Sequence, residues 1–286
     1  FNSKTIIINE NPDLVIGTGG YSSGLPILAS LKLNKKTLIH EQNSFPGITT
    51  RKLSSKVDCV CISYEKTKDY INSNPILTGN PIRGDLKLYD KEIACSELGI
   101  YPNKKTLLLI GGSQGSQPFN NYFIKYYKDY TSSDIQIIWQ CGEKNYNEYE
   151  NFIKDKNIIV KGFINKIDLA YSAADLVISR AGALSISELS MMKKAMILIP
   201  LPSSAGNHQY FNAKFLDDKD AAVLVDQAKL LNNEIKKSIF QVLFNDDLIS
   251  KLSNNAYSLL IKNSTEKIKK EIMILLSSTR DKSQIC

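Results

Sequence analysis

ADLVISRAGALSISE, residues 174–188, is the stretch that decides the fold of this chain. Residues 176–178 are an apolar run typical of a strand, the sequence then breaks at residues 180–182, and a helix is predicted from Leu184. A strand, a small-residue turn and a helix N-terminus together form an anion site, because the first N–H groups of a helix lack intrahelical partners. Glu188 lies one turn further on, where its carboxylate could accept two sugar hydroxyls. The stretch therefore predicts a ligand with phosphates and a ribose, which is a nucleotide.

Short aliphatic runs, each followed by a turn and a more polar, helix-like stretch, recur along the chain. Continuous apolar runs suit parallel strands that are buried on both faces. Their alternation with helices indicates doubly wound α/β sheets. The predicted strands are residues 14–16, 37–39, 57–62, 107–110, 135–139, 158–160, 176–178, 196–199 and 222–225.

Two α/β domains are predicted, since 286 residues are long for one core. The pattern changes at residues 78–83 and a polar connector follows, which places the domains at residues 1–82 and 83–264. Residues from about 265 to 286 are predicted to form an amphipathic helix that packs back on the first domain. The apolar side of that helix would be formed by Ile268, Ile272, Leu275 and Leu276.

Composition excludes several classes of protein. A hydrophobic content of 43% and a charged content of 23% are ordinary for a soluble globular protein, and no apolar run approaches the ~20 residues of a membrane span. The net charge of +7 fits solubility, anionic substrates or an anionic membrane surface. Two histidines rule out a histidine-rich metal site, and the five cysteines lack zinc-knuckle spacing, so we expect reduced thiols.

Two glycine-rich loops follow strands at equivalent positions of the two halves. They are residues 17–24, GTGGYSSG, and residues 111–116, GGSQGS. The second lacks the Lys-Ser/Thr of a P-loop, which argues against a kinase or an ATPase. Either loop alone could be only a tight turn, but ligands in open α/β sheets bind at the carboxyl ends of strands. The pair therefore indicates a ligand site, in which the Ser113 hydroxyl and the loop N–H groups would suit a diphosphate.

Polar side chains at two further places are site candidates. Residues 40–43, HEQN, follow a predicted strand, and Gln209 and Asn212 lie three apart on one face of a predicted helix. The two amides could bind sugar hydroxyls, or could be capping and surface groups. A basic cluster in the first half is either a solvated face or a patch for acidic lipid head groups; its members are Lys32, Lys35, Lys36, Arg51, Lys52 and Lys56. Leu31, Leu33 and Phe45 could add shallow insertion into the membrane.

Taken in order, these segments resemble the MurG family of N-acetylglucosaminyltransferases of bacterial peptidoglycan synthesis. The resemblance covers nearly the whole chain and rests on GTGGYSSG, HEQN, GNPIR, GGSQGS, GFI, SRAGALSISE and NHQYFNA. It implies the GT-B glycosyltransferase fold, α/β with two Rossmann-like domains that face a cleft. The N-terminal domain would serve the acceptor and the membrane, and the C-terminal domain would bind UDP-N-acetylglucosamine.

The family's reaction is an inverting transfer of N-acetylglucosamine from UDP-N-acetylglucosamine to the 4-hydroxyl of undecaprenyl-diphosphate-muramoyl-pentapeptide. By resemblance we expect this reaction here, without cofactor or metal, in cell-wall biogenesis and hence cell shape and division. The chain would be peripheral, on the cytoplasmic face of the bacterial inner membrane. Expected partners are an anionic membrane surface and cell-wall synthesis proteins, and no nucleic acid.

The resemblance also implies roles for single residues. Asn43 and Arg83 would contact the donor or line the cleft, and Ser113 would hold the diphosphate. Ile164 would contact uracil through its backbone, and Gln209 would bind the sugar hydroxyls. The remaining roles concern the anion site, the ribose and the acceptor loop. The ribose would be bound by Glu188, and helix N-terminal amides would come from Ala183, Leu184, Ser185, Ile186 and Ser187. The acceptor or diphosphate loop would hold Gly19, Gly20 and Tyr21. Independently of the resemblance, Arg180 could stabilise the charge of the leaving group electrostatically.

One departure from the family concerns catalysis. The family begins with a strand and a Gly-Gly-Thr-Gly-Gly-His loop whose histidine is a candidate base, and this chain has no such loop. We therefore expect an incomplete first domain and little transferase activity from the chain alone, with His40 and Glu41 as secondary candidates for the base. Two alternatives stay open. One is a glycolipid synthase of the same fold with a diacylglycerol acceptor, and the other is a catalytically incomplete half of a split transferase.

Overall fold

The computed structural model describes residues 2–152 and 154–278, which form two compact units. One unit holds the chain up to Ile82 together with the segment that starts at Ile261. The other unit is Arg83–Leu260. The acceptor and donor roles given above to the two domains stay predictions.

The first unit is built on a sheet of four parallel strands in the order β1-β2-β3-β4. The strands are β1 (Leu14–Gly17), β2 (Lys36–Glu41), β3 (Cys59–Ile62) and β4 (Ile76–Leu77). The helices are α1 (Ser3–Glu10), α2 (Gly20–Lys32), α3 (Ile48–Leu53) and, from the end of the chain, α12 (Ser264–Ser277). Neighbouring residues of a strand point to opposite faces. Accordingly Ile39 packs with α2 and α3 on one face, whereas Leu38 packs with α12 on the other.

Helix α12 confirms the amphipathic helix predicted near the end of the chain. Ile272 and Leu275 pack against Leu38, Cys59 and Cys61. The expectation that Leu276 lies on the same apolar side is wrong, because its side chain is exposed. Residues 279–286 of the predicted helix lie outside the described residues.

The second unit is a six-stranded parallel sheet in the order β10-β9-β8-β5-β6-β7. The strands are β5 (Lys105–Ile110), β6 (Ile135–Gln140), β7 (Ile158–Lys161), β8 (Leu176–Ser179), β9 (Ala195–Leu198) and β10 (Val223–Leu224). The helices are α4 (Lys91–Leu98), α5 (Gln117–Thr131), α6 (Tyr146–Phe152), α7 (Ile167–Ala173), α8 (Ala183–Met191), α9 (His208–Asp217), α10 (Ile235–Leu243) and α11 (Asp246–Leu259). This is the doubly wound order of dinucleotide-binding folds, and the order reverses between β5 and β8.

All nine predicted strands are present, so the predicted α/β class is confirmed. Strand β8, Leu-Val-Ile-Ser, is buried along its whole length, which explains its apolar run. The two-residue strand β4 was missed. The segment interpreted as a polar connector contains α4, whose only described buried residues are Ala94 and Cys95. A helix of eight residues with so little buried surface leaves almost no periodic signal in the sequence.

Candidate functional site

The site of the second unit lies where its strand order reverses. Strands β5 and β8 pair directly, with Ile110 opposite Ser179. The glycine loop at residues 111–116 and the turn at residues 180–182 therefore leave the sheet side by side. A reversal of this kind opens a crevice at the carboxyl ends of the strands, where nucleotides bind.

Helix α8 begins at this edge, with Gly182 as its N-cap. The first intrahelical hydrogen bond runs from the Ile186 N–H to the Gly182 carbonyl, at 3.0 Å. The N–H groups of Ala183, Leu184 and Ser185 precede it and carry the positive end of the helix dipole. The first turn of α8 is therefore suited to an anion such as a diphosphate.

The expectation that the N–H groups of Ile186 and Ser187 belong to this anion site is wrong; they are two of the five amides that were expected there. The Ile186 N–H is already bonded to Gly182, and Ser187 lies inside the helical ladder. Both side chains are buried, and the Ser187 hydroxyl donates to the Ala183 carbonyl at 2.9 Å. The physical reason is that only the first turn of a helix leaves N–H groups without helical acceptors.

Glu188 follows one turn into α8 and is half-buried. The Tyr171 hydroxyl donates to its Oε2 at 3.2 Å. Burial raises the pKa of Glu188, while the bond from Tyr171 and the nearby Arg83 oppose that rise. A half-buried carboxylate held by one neutral donor is a suitable acceptor for vicinal hydroxyls.

Arg83 lies close enough to affect Glu188 electrostatically, but its guanidinium is engaged by another residue. Its Nε and Nη2 donate to the two carboxylate oxygens of Asp85, at 2.8 and 3.2 Å. The role of Arg83 at the sugar donor stays a prediction. In that role its guanidinium would have to bind the ligand as well as Asp85.

The glycine loop touches the loop after β6 backbone to backbone. Gly115 has φ +74°, and a Cβ there would lie 2.0 Å from the Cys141 carbonyl oxygen. Gly142 has φ +91°, and a Cβ there would lie 2.2 Å from the Gln114 carbonyl oxygen. Only glycine fits either position. Ser113 is exposed on the same loop, and its place at a diphosphate stays a prediction.

Arg180 lies beneath the glycine loop rather than at its surface. Its Nη2 donates to the Ser116 hydroxyl at 2.8 Å and to Gln227 at 2.7 Å, and its Nη1 donates to two backbone carbonyls just after β9. The guanidinium also stacks 4.4 Å from the centre of the Phe119 ring. Burial lowers the pKa of Arg180 to about 10, so it is still a cation at neutral pH. Neutral groups of the protein take its donors, so Arg180 would act on the leaving group through its charge and not by a hydrogen bond. That electrostatic role stays a prediction.

Gln209 and Asn212 do not form the shared amide face that their spacing predicts. The Oε1 of Gln209 accepts from the Leu201 N–H at 2.9 Å. The NH₂ group of Gln209 is therefore the part of the side chain that could donate to a ligand. Asn212 is fully buried and donates to the Ala181 carbonyl at 3.2 Å. Asn212 therefore fixes α9 against the turn before α8, and only Gln209 stays a candidate for sugar hydroxyls.

Ile164 is held by a residue that the sequence analysis did not single out. Its N–H donates to the Oε1 of Gln140 at 2.9 Å. A backbone contact of Ile164 with uracil would therefore use a carbonyl and not this N–H. The signal that could have found Gln140 is a polar residue at the carboxyl end of a buried strand that is mainly apolar.

Glu41, in the first unit, anchors the loop that follows β2. It is 1% exposed, and its Oε1 accepts from the backbone and side-chain amides of Asn43, both at 3.1 Å. Its Oε2 accepts from the Gly47 N–H at 3.0 Å and the Thr50 hydroxyl at 2.6 Å. Glu41 as a candidate base is therefore wrong, since four donors inside the protein hold its carboxylate. Asn43 is part of this anchor and its donor contact stays a prediction.

His40 as a candidate base is also wrong. It is 4% exposed, and its Nε2 donates to the Gly79 carbonyl at 2.9 Å. Its Nδ1 faces the amide of Gln42 at 3.3 Å, and the same amide donates to the Thr18 carbonyl at 2.7 Å. Burial lowers the pKa of His40, which keeps the ring neutral. His40 therefore joins the end of β2 to the segment after β4, and both of its ring nitrogens face groups of the protein.

The loop after β1 is open where it was expected to meet the acceptor. Gly19 and Gly20 have φ +87° and +73°, and Tyr21 is 75% exposed at the start of α2. Thr18 in the same loop is held by Gln42. The acceptor role of these residues stays a prediction.

Only part of the basic cluster of the first unit is available to bind lipid head groups. The Lys36 ammonium donates to the carbonyls of Leu275 and Leu276, so it caps the end of α12. The three apolar residues expected to insert, Leu31, Leu33 and Phe45, are half-buried. The exposed apolar residues nearby are instead Tyr21, Leu25 and Leu28, which the helical period brings onto one side of α2.

Comparisons with known proteins identify relatives of this chain in sequence and in structure. Residues 106–272 match the family model "Glycosyltransferase family 28 C-terminal domain", and residues 1–62 match its N-terminal counterpart. A UDP-N-acetylglucosamine–N-acetylmuramyl-(pentapeptide) pyrophosphoryl-undecaprenol N-acetylglucosamine transferase of Flavobacterium psychrophilum is 39% identical over 279 residues, covering 96% of this chain and 76% of that protein. Its namesake from Christiangramia forsetii is 37% identical with the same coverage. The crystal structure of Acinetobacter baumannii MurG superimposes with a TM-score of 0.78 at 28% identity, covering 95% of this chain and 76% of that one.

Proposed function

Since this chain belongs to glycosyltransferase family 28, and within it to the MurG family of N-acetylglucosamine transferases, we propose that it transfers N-acetylglucosamine from UDP-N-acetylglucosamine to undecaprenyl-diphosphate-muramoyl-pentapeptide. One observation in the fold carries the proposal. The open first turn of α8 lies beside the glycine loop where the strand order reverses, and Glu188 follows one turn later. This arrangement offers donors to a diphosphate and an acceptor to a ribose in the order in which a nucleoside diphosphate carries them.

In the proposed reaction the 4-hydroxyl of the acceptor attacks the anomeric carbon from the side opposite to UDP. The bond to the diphosphate breaks, the configuration inverts, and negative charge develops on the leaving UDP. The N–H groups of Ala183, Leu184 and Ser185 and the glycine loop are fixed before the reaction, so they stabilise that charge without reorganisation. The hydroxyl proton must pass to a base, and neither His40 nor Glu41 is placed to take it.

A transfer assay with labelled UDP-N-acetylglucosamine and two acceptors tests this function. We expect a small amount of labelled product with the undecaprenyl-linked muramoyl-pentapeptide, in line with the little activity expected from the chain alone, and none with diacylglycerol. Transfer to diacylglycerol alone would contradict the proposal in favour of a glycolipid synthase. Binding of UDP-sugar without transfer to either acceptor would favour the incomplete half of a split transferase.

We also propose that the chain works at the cytoplasmic face of the inner membrane, attached through its first unit. In the described ranges no helix has the length and apolar character needed to cross a bilayer, and the proposed acceptor carries a lipid tail. Lys32, Lys52 and Lys56 are exposed, as is the apolar side of α2. Each such lysine contributes at most about 1 kcal/mol near an anionic surface.

Vesicle co-sedimentation tests the membrane proposal. We expect binding that needs anionic lipid, weakens as salt rises, and falls when Lys32, Lys52 and Lys56 are all replaced by glutamine. The matched control replaces Lys267, Lys269 and Lys270, three exposed lysines of α12, which packs on the opposite face of the sheet from α2. Equal binding by both triple variants would show that the cluster is an ordinary solvated face.

A further inference from the structure

A single buried side chain, Gln140, joins two segments of the candidate nucleotide site. It ends strand β6 and is 4% exposed. Its Nε2 donates to the Gly112 carbonyl at 2.9 Å, and its Oε1 accepts from the Ile164 N–H at 2.9 Å. One rigid, planar amide thus ties the glycine loop after β5 to the turn after β7.

The bond to Gly112 determines what the glycine loop presents to a ligand. The Gly112 carbonyl also accepts from the Gly115 N–H at 3.0 Å, so both of its lone pairs are directed at the protein. A trans peptide group points its C=O and its N–H in opposite directions. Holding the Gly112 carbonyl inward therefore turns the Ser113 N–H outward, where Ser113 is exposed.

The bond to Ile164 has the opposite effect on the turn after β7. The Ile164 N–H points inward to Gln140, so the carbonyl of the same peptide group, that of Phe163, points away from Gln140. Phe163 is itself exposed. The glycine loop therefore presents a donor, suited to phosphate, and the turn presents an acceptor, suited to the N–H of a base.

We propose that Gln140 is a positioning residue that couples recognition of the diphosphate to recognition of the base in a uridine diphosphate ligand. The inference rests on the proposed function, which places UDP at these two segments. Glutamine suits the task because one planar group carries both a donor and an acceptor. Glutamate keeps the acceptor and loses the donor, and methionine loses both, so the two halves of the role can be separated.

The same strand supplies a matched control in Gln136. It is fully buried, its Nε2 donates to the Tyr101 carbonyl at 2.6 Å, and its Oε1 accepts from the Tyr101 N–H at 3.0 Å. It thus makes the same kinds of hydrogen bond as Gln140, with one more from its Nε2 to the Thr106 hydroxyl at 2.8 Å. It lies at the amino end of β6, away from the carboxyl edge. Replacing it should cost similar stability and leave the nucleotide segments untouched.

Calorimetric titration with UDP, UMP and CDP, alongside denaturant unfolding, tests the inference. We expect Gln140→Met to weaken UDP binding about tenfold, as for the loss of roughly one ordered hydrogen bond. The ratio of its affinity for UDP to its affinity for CDP should also become smaller. Gln140→Glu keeps the acceptor for the Ile164 N–H, so the ratio of the affinities for UDP and CDP should be unchanged. It loses the donor to Gly112, so the ratio of the affinities for UDP and UMP should become smaller. Gln136→Met should be destabilised to a similar extent and bind UDP as the unchanged protein does.

Two results would overturn the coupling. One is wild-type affinity and selectivity in a folded Gln140→Met protein, and the other is the same loss of UDP affinity in Gln136→Met. Failure of the unchanged protein to bind UDP would overturn the proposed function, and this inference with it. Normal UDP binding with an unaffected Gln140→Met variant would overturn the inference alone.

Discussion

Replacing Gly115 with alanine is expected to remove nearly all UDP binding and to destabilise the second unit by about 2–5 kcal/mol. The left-handed backbone of a non-glycine residue costs roughly 1–2 kcal/mol, and forcing an atom into a packed site costs about 1–3 kcal/mol more. The new Cβ would lie 2.0 Å from the Cys141 carbonyl oxygen and 2.5 Å from its carbon. Both are backbone atoms, so no change of rotamer relieves the clash, and the glycine loop has to move.

Gly99→Ala is the matched control for this substitution. Gly99 has φ +72°, close to the +74° of Gly115, but nothing lies within 4 Å of a Cβ placed there. It should show only the left-handed penalty of about 1–2 kcal/mol and normal UDP affinity. Denaturant unfolding and calorimetry of the two variants measure the difference. Equal stability losses, or intact UDP binding in Gly115→Ala, would contradict the role given to the backbone contact.

Replacing Glu188 with alanine should weaken UDP binding roughly 10- to 150-fold. A hydrogen bond to a charged group contributes about 1.5–3 kcal/mol, and each 1.4 kcal/mol corresponds to about tenfold in affinity. Glu188→Gln, which keeps the shape and one acceptor oxygen, should fall between alanine and the unchanged protein. Calorimetry with UDP measures all three. Glu97→Ala, which removes an exposed carboxylate from α4, is the control and should bind normally.

The pH dependence of UDP binding gives a second measure of Glu188. Because burial raises the pKa of this carboxyl, it gains a proton at a higher pH than an exposed glutamate does. The protonated form is the weaker acceptor, so affinity should begin to fall at a correspondingly higher pH as the solution is acidified. The Glu188→Ala variant should lack this component. Unchanged affinity in a folded alanine variant would remove Glu188 from the site.

The fold could be predicted because most of its strands coincide with short apolar runs in the sequence. Strands such as β5 and β8 are buried on both faces, so they need no alternation, and their order follows once helices cover both sides of the sheet. The position of the site followed from the same pattern, since parallel strands all end at one edge. The sequence therefore predicts that the glycine loop and the first turn of α8 lie at this edge.

What each polar side chain does at that edge could not be predicted, because residue type does not reveal its partners. His40 and Glu41 continue a strand that is buried on both faces, so both point into the protein. Arg180 and Asn212 find acceptors on neighbouring segments distant in the sequence. Gln140 shows the converse, because an unremarked residue at a strand end holds two segments of the candidate site.

The position of α12 in the first unit has a consequence for the order in which the chain acquires its structure during synthesis. A chain leaving the ribosome exposes the four strands of the first sheet early, but α12, which covers Leu38, Cys59 and Cys61, emerges only after the second unit. The second unit, Arg83–Leu260, is by then already outside. The first unit, whose strands are made before the second unit, is thus completed only after it. Until α12 docks, the apolar face of the first sheet is a natural client surface for chaperones.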